Sequence, residues 1–192
     1  FVALVAPLVE KGLIAKDTAL ACVSLTGYSG GGKQMIAQYE DKDRDPLLNA
    51  PRMYGLTQQH KHLKEMAKLC GLEKMPVFCP IVGDFYSGME VTASLFAEDV
   101  KGNMEDIKNV YRSYYQKGLI YFSEQADENG FLSAAALSGR DDMEITVHGN
   151  EKRILLTARF DNLGKGASGA AVQNMNIVLG AAEDAGLVMG GK

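Results

Sequence analysis

The chain has 192 residues, of which 46% are hydrophobic and 23% charged, and its formal net charge is −4. This is the composition of an ordinary folded domain, and it offers no basic field for a nucleic-acid partner. No apolar run approaches the roughly 20 residues of a membrane-spanning helix, so no membrane partner is expected. Because the sequence does not begin with Met, we expect it to start inside a longer protein.

The predicted elements mix helices and strands, assigned from apolar spacing and from glycine and proline boundaries. In chain order they are a helix over 1–13, a strand over 19–26, a short helix over 33–39, a surface loop over 40–51, a helix over 57–70, strands over 76–82 and 89–97, a helix over 103–117, a strand over 119–123, a hairpin over 143–160 and a tail helix over 168–185.

Local signals set several of these boundaries. We expect Thr57 to cap the third helix and Gly71 to end it, and Asn103 to cap the fourth helix. Gly149 and Asn150 predict a two-residue hairpin turn. The result is an α+β fold with a mixed or antiparallel sheet and helices on one face. No strand leads into a GxGxxG turn, which argues against a nucleotide-binding fold.

The cysteines, Cys22, Cys70 and Cys79, are odd in number and have no CxxC spacing. Neither a disulfide framework nor a metal site is therefore expected. We interpret them as buried structural thiols in the reducing cytoplasm, with a catalytic role as the alternative.

Three segments have residues suited to chemistry. In TGYSGGGK (26–33), the glycines, Ser29 and Lys33 suit a phosphate or carboxylate, although a flexible connector gives the same pattern. In QHKHLKEM, His62 and Glu65 share a helix face, so the carboxylate could orient the imidazole; the alternative is a solvated helix start.

The third segment, DNLGKGASGAAVQNMN (161–176), places Asn162, Lys165 and Gly166 before a helix N-terminus, where anions are favoured. Helix capping and tight packing are the alternative. His148, beside the hairpin turn, is expected to be structural or simply exposed.

Together, GYSGGGK, a Tyr-Gly followed by HKHxxEM, PVFCPIVGDFYSG and DNLGKGASGAAVQNMN resemble the N-acetyl-gamma-glutamyl-phosphate reductase family in order and spacing. The resemblance spans roughly 1–180 and implies a glyceraldehyde-3-phosphate-dehydrogenase-like C-terminal domain. It implies a substrate-binding, catalytic and dimerisation domain over 1–160. It also implies a segment over 161–192 that docks on an absent NADP-binding domain.

The same resemblance implies the reaction and the site. NADPH would reduce an acyl phosphate to a semialdehyde, through a thioacyl intermediate on a Cys just upstream of Phe1. The implied enzyme acts in arginine biosynthesis in the cytoplasm as a homo-oligomer. The implied residues are His62, His60 and Glu65 for catalysis, Ser29, Gly30, Lys33 and Tyr54 for substrate, and Asn162, Lys165 and Gly166 for cofactor. Ser87 and Lys33 stand where many family members have Arg, which puts the anion contacts in question.

Two alternatives remain open. One is a related reductase of the lysine pathway or of the aspartate-semialdehyde type. The other is a dimerisation module that has no catalytic role by itself.

Overall fold

A computed structural model describes residues 1–190 and places seven strands in a single mixed sheet of order β2-β3-β1-β4-β7-β6-β5. The strands are β1 Ala21–Gly27, β2 Arg52–Met53, β3 Val77–Gly83, β4 Met89–Phe96, β5 Ile120–Phe122, β6 Met143–Gly149 and β7 Arg153–Phe160. The pairs β1–β3 and β5–β6 are parallel and the other pairs are antiparallel. The predicted mixed sheet is confirmed.

Five α-helices accompany the sheet in the described residues: α1 Val2–Glu10, α2 Gly32–Glu40, α3 His62–Cys70, α4 Met104–Tyr114 and α5 Gly169–Leu179. The first, third and fourth bury their apolar stripes against one face of the sheet. Leu4, Met66 and Ile107 meet Cys22 and Leu156 there in one continuous core. Burial of this apolar area is the main stabilising contribution to the fold. Helices on one face were predicted, and that is confirmed.

The opposite face of the sheet is only partly covered. The loop over 123–142 lies across β6 and β7, where buried Arg159 pairs with Glu144 at 2.7 Å and Glu128 at 2.6 Å. Elsewhere the strands present apolar side chains to solvent. These are Val23, Val77, Phe96 and Leu155, and we call them the open face.

Helix boundaries were the weakest part of the sequence prediction. The third helix begins at His62, so Thr57 is not its cap, although Gly71 ends it in the left-handed conformation as expected. Asn103 caps α4 as expected through the N–H groups of Glu105 and Asp106, but that helix ends at Tyr114, before 117. The first helix likewise ends at Glu10, before 13.

The hairpin turn and the tail also differ from the prediction. Gly149 still pairs with Ile154, so the connection is the three residues 150–152, with the Asn150 side chain accepting from Lys152 and Arg153. The tail helix is α5, shorter than 168–185 because Gly180 ends it in the left-handed conformation. Gly191 and Lys192 of the predicted 161–192 segment lie outside the described residues.

Candidate active site

Three loops meet at the end of the sheet where β1 and β3 finish and β4 begins. Gly27 and Gly83 are register partners, and Met89 pairs with Phe160, so the loops after β1, β3 and β7 converge. Two of the three segments singled out in the sequence lie here. We call this region the loop end of the sheet.

The loop after β1 is fastened to the loop before β4 by backbone bonds. Tyr28 N–H donates to Phe85 at 2.9 Å and Ser29 N–H donates to Tyr86 at 3.1 Å. A Cβ on Gly27 would lie 2.5 Å from the Tyr86 carbonyl oxygen, so only glycine fits that position. The N–H groups of Tyr28 and Ser29 therefore hold the loop in place.

Asn162 links this loop to the segment after β7. Its Nδ2 donates to Ser29 Oγ at 3.0 Å and its Oδ1 accepts from Gly88 N–H at 2.8 Å. A Cβ on Gly30 would lie 3.3 Å from the same Nδ2. The structure thus brings together Ser29, Gly30 and Asn162, which the resemblance divides between substrate and cofactor.

Asp161 was missed by the sequence reasoning and organises the same corner. Its buried carboxylate accepts from Leu163 N–H at 2.6 Å, Gly164 N–H at 3.2 Å and Ser87 Oγ at 3.2 Å, and also from Gly139 N–H. Ser87 is therefore a buried support for this carboxylate. An Asp that opens a Gly-rich turn was the available signal.

After Asp161 the chain forms a single π-helical turn over Gly164–Ser168, which leads into α5. Gly166 N–H donates to Asp161 O, and Ser168 N–H donates to Leu163 O, both at 2.8 Å. Such turns are rare and occur frequently at functional sites. Lys165 points to Gln173 Oε1 at 2.5 Å, and burial lowers the pKa of its amine.

The histidine segment lies beside the part of β3 that β2 leaves uncovered, before Ile81. The His60 ring is 4.8 Å from that of His62, 5.1 Å from Phe78 and 6.1 Å from Tyr54. Its Nδ1 accepts the N–H of His62 at 3.3 Å, so His60 caps the start of α3. Burial, followed by the nearby cations of His62 and Lys61, lowers the pKa of His60.

The expected pairing of His62 with Glu65 is absent from residues 1–190: both side chains are exposed and no hydrogen bond joins them. The histidines also lie away from Ser29. The His60 ring lies beside Phe78 and, next to Gly55, close to Pro80, which precede Gly83 by five and three residues. At about 3.3 Å per residue this is roughly 10–16 Å along β3 from the loop end. Lys33, in the first turn of α2, is exposed.

The prediction of buried thiols is confirmed for Cys22 and Cys70, whereas Cys79 is only partly buried. Burial raises the pKa of Cys22 and of Cys70 to about 11 each, so both stay protonated at neutral pH and are poor nucleophiles. Within the described residues no cluster of His, Cys, Asp or Glu could hold a metal ion. No described helix is long and apolar enough to cross a bilayer.

The sheet topology and the three-loop corner define an α+β domain of the semialdehyde dehydrogenase type. A family model described as semialdehyde dehydrogenase, dimerisation domain, matches residues 1–162, and the chain belongs to that family. Aspartate semialdehyde dehydrogenase II from Vibrio cholerae shares the fold, with a TM-score of 0.64 and 16% identity over 93% of this chain and 58% of that one. The enzyme from Francisella tularensis also scores 0.64, at 13% identity over 92% and 61%.

The relatives found by sequence similarity are much closer in sequence than these solved structures. The chain is 39% identical to N-acetyl-gamma-glutamyl-phosphate reductase 2 of Nostoc sp., over 97% of this chain and 62% of that protein. It is 41% identical to N-acetyl-gamma-glutamyl-phosphate reductase of Brucella anthropi, over 93% of this chain and 60% of that protein. The chain therefore spans about three fifths of the length of these relatives.

Proposed function

We propose that the full-length protein reduces N-acetyl-gamma-glutamyl phosphate to N-acetylglutamate semialdehyde with NADPH, a step of arginine biosynthesis in the cytoplasm. The observation that carries this proposal is the 39–41% identity, along 93–97% of the chain, to relatives that bear the name of that reductase.

Two rival functions have weaker support. The aspartate semialdehyde dehydrogenase structures are 13–16% identical to the chain, a likeness that supports the fold and leaves the substrate open. A purely structural dimerisation module has no need for the hydrogen-bond network of Ser29, Asn162 and Asp161. A lysine-pathway substrate has no observation in its favour.

In the proposed chemistry the nucleophile is a Cys that lies immediately upstream of Phe1. Because α1 begins at Val2, such a thiol lies at a helix N-terminus, whose dipole lowers a thiol pKa. The thiolate forms a C–S bond to the acyl carbon, the C–O bond breaks and phosphate leaves. After reduction the hydroxyl proton of the thiohemiacetal returns to the acid–base residue and the C–S bond breaks, which releases the aldehyde and the thiolate.

The proposed acid–base residue is His62, and the neighbouring His60 is the alternative candidate for the same role. An imidazolium at this position would donate a proton to the oxygen of the reduced thioester adduct, and general acid–base help of this kind contributes about 10²–10⁴-fold. Glu65, one turn along α3, would assist through its charge. Ser29, Gly30, Lys33 and Tyr54 are the proposed substrate contacts.

The cofactor residues fit only part of an NADP site. Asn162 is committed to Ser29 and Gly88, Lys165 to Gln173, and Gly166 N–H to Asp161, so these three do not form a phosphate cradle by themselves. Bound nicotinamide would supply the hydride, with most of its contacts on the domain that the resemblance places outside this chain.

The tail helix α5 has little contact with the rest of the domain: only Gly169 and Asn176 of this helix are buried, while Val178 is 85% exposed. That apolar surface suits docking on the nucleotide-binding domain.

The proposed partner, besides the small acyl phosphate, is a second copy of the protein. The open face presents Val23, Val77, Phe96 and Leu155, which are 41–61% exposed on neighbouring strands. Two such faces can pack about 10 Å apart, as stacked sheets do. The matching dimerisation-domain family supports this assignment.

Complementation tests the function in the cell. The full-length gene should restore growth without arginine to a bacterial strain that lacks its own N-acetyl-gamma-glutamyl-phosphate reductase. Continued arginine dependence, with the protein present in soluble form by immunoblot, would contradict the proposal.

A further inference from the structure

Among the described residues, Arg52 has no carboxylate partner, unlike three other arginines whose side chains are buried or partly buried. Arg44, Arg140 and Arg159 each pair with a carboxylate, namely Asp84, Asp142 and Glu144. Arg52 is partly buried, yet within residues 1–190 no carboxylate lies within 4.0 Å of it. Its Nε is buried without a hydrogen-bond partner. A guanidinium taken out of water normally has an anionic partner.

The contacts that Arg52 does make hold the side chain in a fixed position. Its Nη2 donates to the Tyr39 hydroxyl at 3.0 Å, and its Cζ lies 5.4 Å from the centre of the Tyr39 ring. Arg44 lies 6.0 Å from the same ring centre, with its charge matched by Asp84. Glu40 supplies a further carboxylate beside Tyr28, but within residues 1–190 neither it nor any other carboxylate lies within 4.0 Å of Arg52.

Arg52 lies between the loop end of the sheet, which contains Ser29, and the histidine segment, which contains His60. Arg52 pairs with Val82, next to the end of β3, and Tyr39 stacks on Tyr28 with ring centres 4.7 Å apart. Tyr28 directly precedes Ser29. In the other direction along the chain, Tyr54 contacts the His60 ring.

We infer that Arg52 binds an oxyanion of the acyl-phosphate substrate, either its phosphate or its carboxylate. The inference rests on the proposed function for the identity of the substrate. Arg suits this task because its planar fork matches both kinds of oxyanion.

Kinetics in the reverse direction separate the two oxyanions, because inorganic phosphate and N-acetylglutamate semialdehyde are then distinct substrates. In the full-length protein, Arg52→Gln should raise the KM for one of them about 10- to 100-fold, the effect of losing a hydrogen bond to a charged group. The KM for the other and kcat should change less than about threefold. A raised phosphate KM assigns the phosphate, and a raised semialdehyde KM assigns the carboxylate.

Two controls separate binding from structure. Tyr39→Phe removes the bond to Arg52 but keeps the guanidinium, and Arg153→Gln removes an exposed arginine at the start of β7. Arg153→Gln should leave both KM values within about threefold of wild type, whereas Tyr39→Phe, which releases the guanidinium from its fixed position, should raise the same KM as Arg52→Gln by a smaller factor. If Arg52→Gln leaves both constants unchanged, the inference is wrong. If it raises both together with a lower Tm, and Tyr39→Phe does the same, Arg52 is structural and the inference is also wrong.

Thermal unfolding with inorganic phosphate alone, and with N-acetylglutamate alone, distinguishes failure of this inference from failure of the proposed function. An anion that raises the Tm of wild type but not of Arg52→Gln supports the site even if the protein does not reduce the proposed substrate. Activity on that substrate with equal Tm shifts in the two proteins would keep the function and overturn the site.

Discussion

The amide nitrogen of Asn162 lies 3.0 Å from the hydroxyl oxygen of Ser29, although 133 positions separate the two residues. The amide oxygen of the same side chain accepts a hydrogen bond from Gly88 N–H at 2.8 Å. One side chain therefore joins three loops that lie far apart in sequence. The proposed substrate loop at Ser29 and the segment that leads to α5 are therefore coupled through it.

Asn162→Ala should destabilise the protein by about 1–3 kcal/mol, because the Gly88 N–H and the Ser29 hydroxyl lose a partly buried partner. It should also raise the KM for substrate, since Ser29 loses its fixed position. Urea unfolding and steady-state kinetics measure the two effects. Asn109→Ala, which removes an exposed contact to Arg112, should stay within about 0.5 kcal/mol of wild type. Equal stability of the two variants would contradict the linking role of Asn162.

Asp161→Asn should cost at least about 2 kcal/mol, because one carboxylate oxygen becomes an NH2 group that faces buried donors. The matched control is Asp127→Asn, in which the side chain accepts only Gly130 N–H in an exposed turn at 2.7 Å. That variant should lose less than about 1 kcal/mol. Denaturant midpoints compare them directly, and a larger loss in Asp127→Asn would show that Asp161 does not organise the corner.

Most helices and strands of the fold could be predicted from local sequence patterns. The predictions that were wrong have physical causes. The helix over 57–70 was predicted too long because its apolar spacing begins only at Leu63. Before it, the Gln58 side chain pairs with both backbone groups of Phe78, at 2.7 and 2.9 Å. This long-range bonding to the free edge of β3 leaves no trace in the spacing of nearby residues.

Only part of the candidate site could be predicted from the sequence, because contacts between distant loops leave no local pattern. Glycine-rich segments and histidines are visible in sequence, so Ser29, Asn162 and His60 could be named. The buried support from Asp161 and Ser87, and the unmatched charge of Arg52, depend on which loops the sheet brings together. The separation of the histidines from the loop end likewise follows from the strand pairing of β2 with β3.

The two histidines of the third helix should differ in kinetic effect. In the full-length protein, His62→Asn should lower kcat about 10²–10⁴-fold with little change in NADP affinity, as expected for loss of an acid–base group. His60→Asn should act mainly on KM. His148→Asn, at the far end of β6, is the control and should behave as wild type. Loss of kcat in His60→Asn alone would reverse the two roles, and normal kinetics in all three would refute both.

Self-association through the open face should depend on Phe96, which is 61% exposed. Phe96→Glu places a charge in the proposed apolar contact, so it should weaken dimerisation at least about 10-fold. Sedimentation velocity over a concentration series measures the change. Leu47→Glu, at a position 71% exposed on a separate surface loop, should leave the dimer intact. An unchanged mass for Phe96→Glu would exclude this face as the interface.

The most direct test of the proposed activity compares aldehydes with the purified full-length protein in the reverse direction. NADP reduction is followed with saturating phosphate and, in turn, N-acetylglutamate semialdehyde, aspartate semialdehyde and the corresponding amino-adipate semialdehyde. The account predicts that kcat/KM for N-acetylglutamate semialdehyde exceeds both others by at least about 100-fold, the difference expected when a site's buried polar groups match one substrate only. A higher kcat/KM for either of the other two aldehydes would contradict it.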